Sequence, residues 1–302
     1  METQITCRVL TGPTATGKSD LAVRLARARG WEILCMDSMQ VYRRMDIGTA
    51  KITQAEMQGV PHHLMDILEP DEPFSVSDYR ELAEQKVMEL HARGREALFV
   101  GGTVLYLRAL MHPMAMGQVG ADENLREELR RIAAEPEGKL RLHRMLQELD
   151  PATADRLPVN DLRRVIRAIE VTRLTGIPFS SQPSREQPSP FRWQVAALSL
   201  ERAELYDRIN RRVDRMIEKG LQREVAALLA EGVPENAQSM SGIGYKEMVP
   251  CVRGERTLAE AADEIRLNSR HYAKRQMTFL RQEPTIRYFP ADVPQVLEKI
   301  FI

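Results

Sequence analysis

Apolar positions along this chain fall into two kinds of run. Four short predominantly apolar stretches, Ile5 to Leu10, Ile33 to Met36, Ala97 to Val100 and Val195 to Leu200, predict buried strands. Between them the apolar residues recur at helical spacing, as Leu21, Ala22 and Leu25 do after the first run. A strand followed repeatedly by a helix predicts an α/β fold, a parallel sheet covered by helices on both faces. In such sheets ligands bind beyond the carboxyl ends of the strands.

The pattern changes between Pro113 and Pro158. Asn124 to Ala133 and Leu140 to Leu149 are charged helical segments, and no strand-like run separates them. They predict a small all-helical insertion over 113–158, serving as a lid or an RNA contact, within a core made of 1–112 and 159–302. Ser180 to Pro190 is rich in Ser, Pro and Gln and predicts an exposed connector. Further on, one helix is predicted from Glu204 to Leu229. Leu205, Ile209, Met216 and Ile217 form its apolar stripe; Arg212 borders that stripe, whereas Arg211 and Arg215 point further out.

A hydrophobic content of 43% over 302 residues is ample for a packed interior. Cys7, Cys35 and Cys251 are far apart and in no metal-like or redox-like spacing, which predicts free thiols. No run reaches the roughly 18 apolar residues of a membrane span, so a cytoplasmic location without membrane contact is expected. With 43 basic and 43 acidic residues, the chain is not coated uniformly for nucleic acid. Charge is nevertheless unevenly placed. Ile265 to Gln282 holds Arg266, Arg270, Lys274, Arg275 and Arg281 and no acid, and all but Arg275 share one helical arc. That arc predicts a contact with a phosphate backbone.

The chemistry begins at Gly12-Pro13-Thr14-Ala15-Thr16-Gly17-Lys18-Ser19, a phosphate-binding loop with a strand before it and a helix after it, the context that the motif requires. Its backbone N–H groups and the helix dipole suit a polyphosphate, Lys18 its charge, and Ser19 a Mg²⁺ ion. The sheet is therefore expected to be P-loop NTPase-like. Asp37 follows the second strand and Gly101-Gly102-Thr103 the third, so three segments converge on one crevice. The third strand does not end in the acid of a motor-type ATPase. Asp37 is instead placed for a substrate that attacks the phosphate-bearing partner.

Taken together, several segments resemble the bacterial tRNA dimethylallyltransferases. They are Gly12 to Ser19, Asp37-Ser38-Met39-Gln40-Val41-Tyr42, Ile47 to Lys51, Pro61 to Leu64, Gly101 to Tyr106, Asn160-Asp161 with Arg163, Arg164 and Arg167, Gly242 to Glu247, and Tyr272 to Gln276. The resemblance covers nearly the whole chain in order. It implies transfer of a dimethylallyl group from dimethylallyl diphosphate to N6 of the adenosine 3′ to the anticodon, in tRNAs reading codons that begin with U. It makes Asp37 the base, with Thr103 and Lys18 beside it. Gly12, Pro13, Thr14, Ala15, Thr16, Gly17, Lys18, Ser19 and Arg212 would bind diphosphate. The tRNA anticodon stem-loop would meet Asp37, Ser38, Met39, Gln40 and Thr103. It would also meet Arg163, Arg164, Arg167, Gly242, Ile243, Gly244, Tyr245, Lys246, Glu247, Arg270, Lys274 and Arg275. Mg²⁺ on Ser19 is the implied cofactor, and no protein partner is implied.

Two other functions fit parts of this pattern. A small-molecule kinase would use the same loop, acid and lid. An RNA-binding module with a structural phosphate would use the loop alone, which leaves Asp37 and Thr103 unexplained. His62 and His63 beside Asp66 are not read as metal ligands, because adjacent residues point apart and no third ligand has suitable spacing.

Overall fold

The structure is a computed structural model that describes residues 4–112, 120–182, 189–291 and 299–301. It divides into two compact units, Met1–Met111 with Ser189–Ile302, and His112–Pro188.

The larger unit begins with β1 (Thr6–Thr11), α1 (Lys18–Arg29), β2 (Glu32–Cys35), α2 (Gln54–Met57), β3 (His62–His63), α3 (Val76–Ala92), β4 (Ala97–Val100) and α4 (Val104–Met111). The helical unit carries α5 (Glu123–Ala134), α6 (Gly138–Leu149), α7 (Pro151–Ala154) and α8 (Leu162–Thr175). The larger unit then resumes with β5 (Arg192–Ser199), α9 (Arg202–Lys219), α10 (Leu221–Ala230), α11 (Tyr245–Val252), α12 (Leu258–Leu280) and β6 (Arg287–Pro290).

Six parallel strands lie in the order β3-β2-β4-β1-β5-β6. Successive side chains of a strand leave on opposite faces, and here both faces are covered. Val9, Leu34 and Phe99 enter one core with α3, α4 and α10 to α12, whereas Leu10, Ile33 and Leu98 enter the other with α1. This is why the central strands read as mainly apolar runs and not as an alternation. All four runs named from the sequence are strands. The edge strands β3 and β6 are missing from that set, because His62–His63 is short and only partly buried and Arg287–Pro290 is short and mostly exposed.

Two expectations need correction. The helix predicted from Glu204 to Leu229 is broken into α9 and α10 at Gly220, whose φ of 96° lies in the left-handed region that glycine adopts without steric cost. The helical insertion was expected to end at Pro158, with 159–302 returning to the core. The structure carries it on to Pro188, because Val165, Ile166, Ala168 and Ile169 of α8 complete an apolar cluster with Leu129, Leu142 and Leu146. The start of the expected insertion, 113–119, and most of the expected connector, 183–188, lie outside the described residues. The three cysteines are free and buried. Among the described residues no helix is long and apolar enough to cross a membrane.

Within the helical unit, the Glu170 carboxylate is fully buried. It accepts from the Asp122 N–H at 2.9 Å and pairs with Arg126 at 2.8 Å and Arg167 at 2.7 Å. Burial opposes its charge, yet these donors hold the carboxyl below its ordinary range. Arg163 and Arg164 are exposed on α8, and Arg167 is partly exposed, turned towards Glu170.

Candidate active site

Because β2, β4 and β1 are neighbours in a parallel sheet, the loops that leave their carboxyl ends are neighbours too. Their backbones pack very closely. A Cβ on Gly101 would stand 2.0 Å from the Met36 carbonyl oxygen, and one on Gly12 would stand 2.6 Å from that of Leu198. Gly12 also has a φ of 136°. Both positions exclude any side chain, one by space alone and the other by space and conformation. Thr11 Oγ1 donates to the Gly101 carbonyl at 2.9 Å, and the Thr103 N–H donates to Met36 O at 3.3 Å. The loops after the three strands are thereby tied to one another.

The first loop closes on α1. Gly17, in the left-handed conformation, caps the helix, and Thr16 Oγ1 donates to the Pro13 carbonyl at 2.9 Å. Lys18 Nζ donates to the same oxygen at 2.7 Å. Burial and the nearby Arg212 guanidinium lower the Lys18 ammonium to about 7, with the Asp37 carboxylate opposing the shift. Burial likewise lowers Arg212, again against Asp37. Two cations thus face one carboxylate. The set has excess positive charge, which an anion in the loop would neutralise.

Asp37 follows β2. Its Oδ1 accepts from the Met39 N–H at 2.9 Å, which turns the chain and leaves residues 37–40 partly exposed. The Ser38 N–H donates to Thr103 Oγ1 at 3.0 Å, fixing the buried threonine beside the start of this turn. Further along, Gln40 Nε2 and Arg212 Nη2 both donate to the Thr49 carbonyl, at 3.3 and 3.0 Å. Arg212 thus reaches from α9 to the Thr49 carbonyl and lies close enough to Lys18 to lower its ammonium.

Two residues of α12 complete the site without having been singled out individually. Gln276, 2% exposed, accepts from the Thr14 N–H at 3.1 Å and donates to the Gly102 carbonyl at 2.7 Å, bridging two of the loops. Tyr272 donates to the same carbonyl at 3.4 Å; burial and the charge of Asp37 push its phenol up, so it remains a donor. The available signal was their one-turn spacing beside the apolar side of α12.

Other expected contacts fall differently. In Gly242 to Glu247 only Lys246 is exposed and Ile243 partly so. The Tyr245 and Glu247 side chains are buried, and their hydrogen bonds go to Glu224, Asn268 and the Gly244 N–H. A polar side chain needs such partners to be buried at all, so these two act as internal supports and not as RNA contacts. On α12 the absence of acids within the segment does not leave its face free: Arg266 pairs with Asp214 of α9 and with Asp263. Arg270 donates to Asn210 at 3.1 Å. Lys274 and Arg275 are exposed, and the Arg275 guanidinium lies 5.8 Å from the centre of the Tyr272 ring. His63 meets Glu32 at 2.6 Å and His62 the Val60 carbonyl at 2.9 Å.

Ser19 is exposed at the first turn of α1, and no cluster of three or more His, Cys, Asp or Glu among the described residues could cage a metal. A single hydroxyl fits Mg²⁺ only where phosphate oxygens and water supply the other ligands.

Residues 40–283 match the family model described as IPP transferase. The tRNA dimethylallyltransferase of Halalkalibacterium halodurans is 47% identical over 93% of this chain and 89% of that protein. The tRNA dimethylallyltransferase of Desulforudis audaxviator is 47% identical over 94% and 91%. A crystal structure of a tRNA isopentenylpyrophosphate transferase from Bacillus halodurans superposes with a TM-score of 0.73 at 44% identity, covering 97% of this chain and 93% of that one. A eukaryotic dimethylallyltransferase acting on tRNA superposes with a TM-score of 0.78 at 26% identity over 97% of this chain and 75% of that one. The chain belongs to the IPP transferase family.

The lowered Lys18 value has a direct consequence, since only the neutral amine is nucleophilic. Acylation of Lys18, followed by peptide mass spectrometry, is expected to rise as pH increases through about 7. Inorganic diphosphate should suppress it and move the midpoint upwards, because an anion favours the ammonium. A midpoint near the ordinary lysine value of about 10.4 would contradict the site's charge balance.

Proposed function

We propose that this protein is a tRNA prenyltransferase that moves a dimethylallyl group from dimethylallyl diphosphate to N6 of the adenosine 3′ to the anticodon, in tRNAs reading codons that begin with U. The observation that carries the proposal is the electrostatic meeting of Asp37 with Lys18 and Arg212 at the phosphate loop, in a chain of this family. Phosphate-loop cations alone would suit many reactions. A carboxylate on the acceptor side selects one in which a nucleophile must lose a proton.

In the proposed reaction the donor diphosphate lies on the loop amides at the amino terminus of α1. As the allylic C–O bond breaks, its electron pair goes to the departing diphosphate, where Lys18 and Arg212 stabilise the growing charge. Mg²⁺ held by Ser19 would add Lewis-acid stabilisation of the same oxygens. The N6 lone pair forms the new C–N bond. Because that lone pair is delocalised into the purine, the amine is a weak nucleophile, and Asp37 orients it and takes its proton. The hydroxyl of Thr103, fixed by the Ser38 N–H, lines the same crevice. Residues 37–40 are open to the base, which must leave its stack to react.

Contacts with tRNA are proposed for Lys246, Lys274 and Arg275 of the larger unit and, independently, for Arg163, Arg164 and Arg167 of the helical unit. Arg270 contributes less freely, since Asn210 already holds it. The relatives' prenyltransferase names do not favour the small-molecule kinase alternative.

The direct test is reconstitution from purified protein, Mg²⁺, dimethylallyl diphosphate and an anticodon stem-loop RNA, without nucleoside triphosphate. Mass spectrometry is expected to show one dimethylallyl group on the target adenosine. A strict need for ATP, or a phosphorylated RNA, would contradict the proposal.

The exposed basic pair gives a second expectation. K274A/R275A should weaken RNA binding and lower the slope of log affinity against log salt by up to about one for each phosphate that is no longer neutralised. Donor binding should not change. An unaltered slope would make this part of α12 solvated surface only.

A further inference from the structure

Three consecutive backbone N–H groups converge on one partly buried carboxylate, that of Glu224. Glu224 Oε2 accepts from the Asp46 and Ile47 N–H groups at 3.0 and 2.7 Å, and Oε1 accepts from the Gly48 N–H at 3.1 Å. Oε1 also accepts from the Tyr245 hydroxyl at 2.7 Å. Successive amides of a tight turn form a concavity suited to an anion. Here a side-chain carboxylate of α10 fills it, so the concavity is not a second phosphate site.

The turn so held carries the Thr49 carbonyl, the acceptor shared by Arg212 and Gln40. On its other side, Lys51 Nζ bonds the Tyr42 carbonyl at 2.8 Å and Asp46 and Asp66 at 2.6 and 2.5 Å. The Tyr245 ring closes over Gly48, where a Cβ would stand 2.5 Å from it. We infer that Glu224 is a positioning residue for the transfer: by fixing the Asp46–Gly48 turn, it sets the Thr49 carbonyl to which the Arg212 guanidinium is docked. This rests on the assignment of Arg212 to the donor diphosphate. Glu224 itself touches neither substrate.

Glutamine at this position keeps the shape but turns one acceptor into a donor. With its amide nitrogen in place of Oε1, the Tyr245 hydroxyl can reverse and accept, but the Gly48 N–H then faces another donor. With the nitrogen in place of Oε2, two N–H groups lose their acceptor. Either way the turn shifts while the apolar packing survives.

The test is a double-mutant cycle read by calorimetric titration of inorganic diphosphate, beside each variant's thermal midpoint. E224Q is expected to weaken diphosphate binding about tenfold, the scale of one hydrogen bond to a charged group, and R212A by more. E224Q added to R212A should then cost less than about twofold further, since the effect passes through Arg212. Unchanged diphosphate affinity in E224Q, or effects that simply multiply in the double variant, would overturn the inference. Unchanged affinity in R212A alone would remove Arg212 from the diphosphate and the inference with it. If E224Q does not fold, Y245F removes a single donor and carries the same cycle. It is expected to weaken binding about threefold, with the same coupling to R212A, and an unchanged or independent affinity would overturn the inference.

Discussion

The site depends on how closely the backbones at the carboxyl ends of adjacent parallel strands approach one another. Gly101 lies against the Met36 carbonyl with no space for a methyl group, so the loops after β2 and β4 are held together by van der Waals contact. Thr11, Thr103 and Gln276 then tie the loops by hydrogen bonds. These contacts set where the phosphate-loop amides, Asp37 and Thr103 stand, which is what a reaction between two separate substrates needs of a scaffold.

Electrostatics follows from that placement. Lys18 and Arg212 are partly buried and close enough to act on one another's charge, which disfavours charge on both, and Asp37 offsets part of the cost. The site by itself therefore carries an imbalance that a diphosphate would correct, and the same cations are in position to stabilise the leaving group. Binding and catalysis would thus draw on one set of charges. The acid has a second use, because its Oδ1 already shapes the turn that opens residues 37–40 to the base.

Much of this was legible in the sequence because it depends on local rules. A sheet buried on both faces favours mainly apolar strands, and the phosphate loop must join a strand to a helix, so the four strands, the loop, Asp37 and Gly101 to Thr103 could be placed from periodicity and spacing. The position of Arg212 on a helical border was legible for the same reason. What was missed is set by tertiary contact. Glu224 looks like an ordinary acid on an amphipathic helix, and only the fold brings three amides to it. Tyr245 and Glu247 sit in a segment that resembles an RNA contact, yet their partners lie inside the protein. Pairing across α9 and α12 neutralises Arg266 in a way that no count along α12 could show. The end of the insertion was misplaced because α8 carries arginines on one face and a buried apolar stripe on the other, and only packing shows which unit that stripe completes.

The central claim is that the Asp37 carboxylate takes the proton from the attacking amine. The measurement that bears on it most directly is the single-turnover rate of D37N with saturating RNA and donor, taken beside its thermal midpoint. Asparagine preserves shape and can still accept from the Met39 N–H, so the fold and both binding steps should survive. The rate should fall by about 10²- to 10⁴-fold, the usual contribution of a general base. A rate within about threefold of the unmodified protein, at an unchanged midpoint, would show that Asp37 only shapes the turn and that the proton leaves by another route.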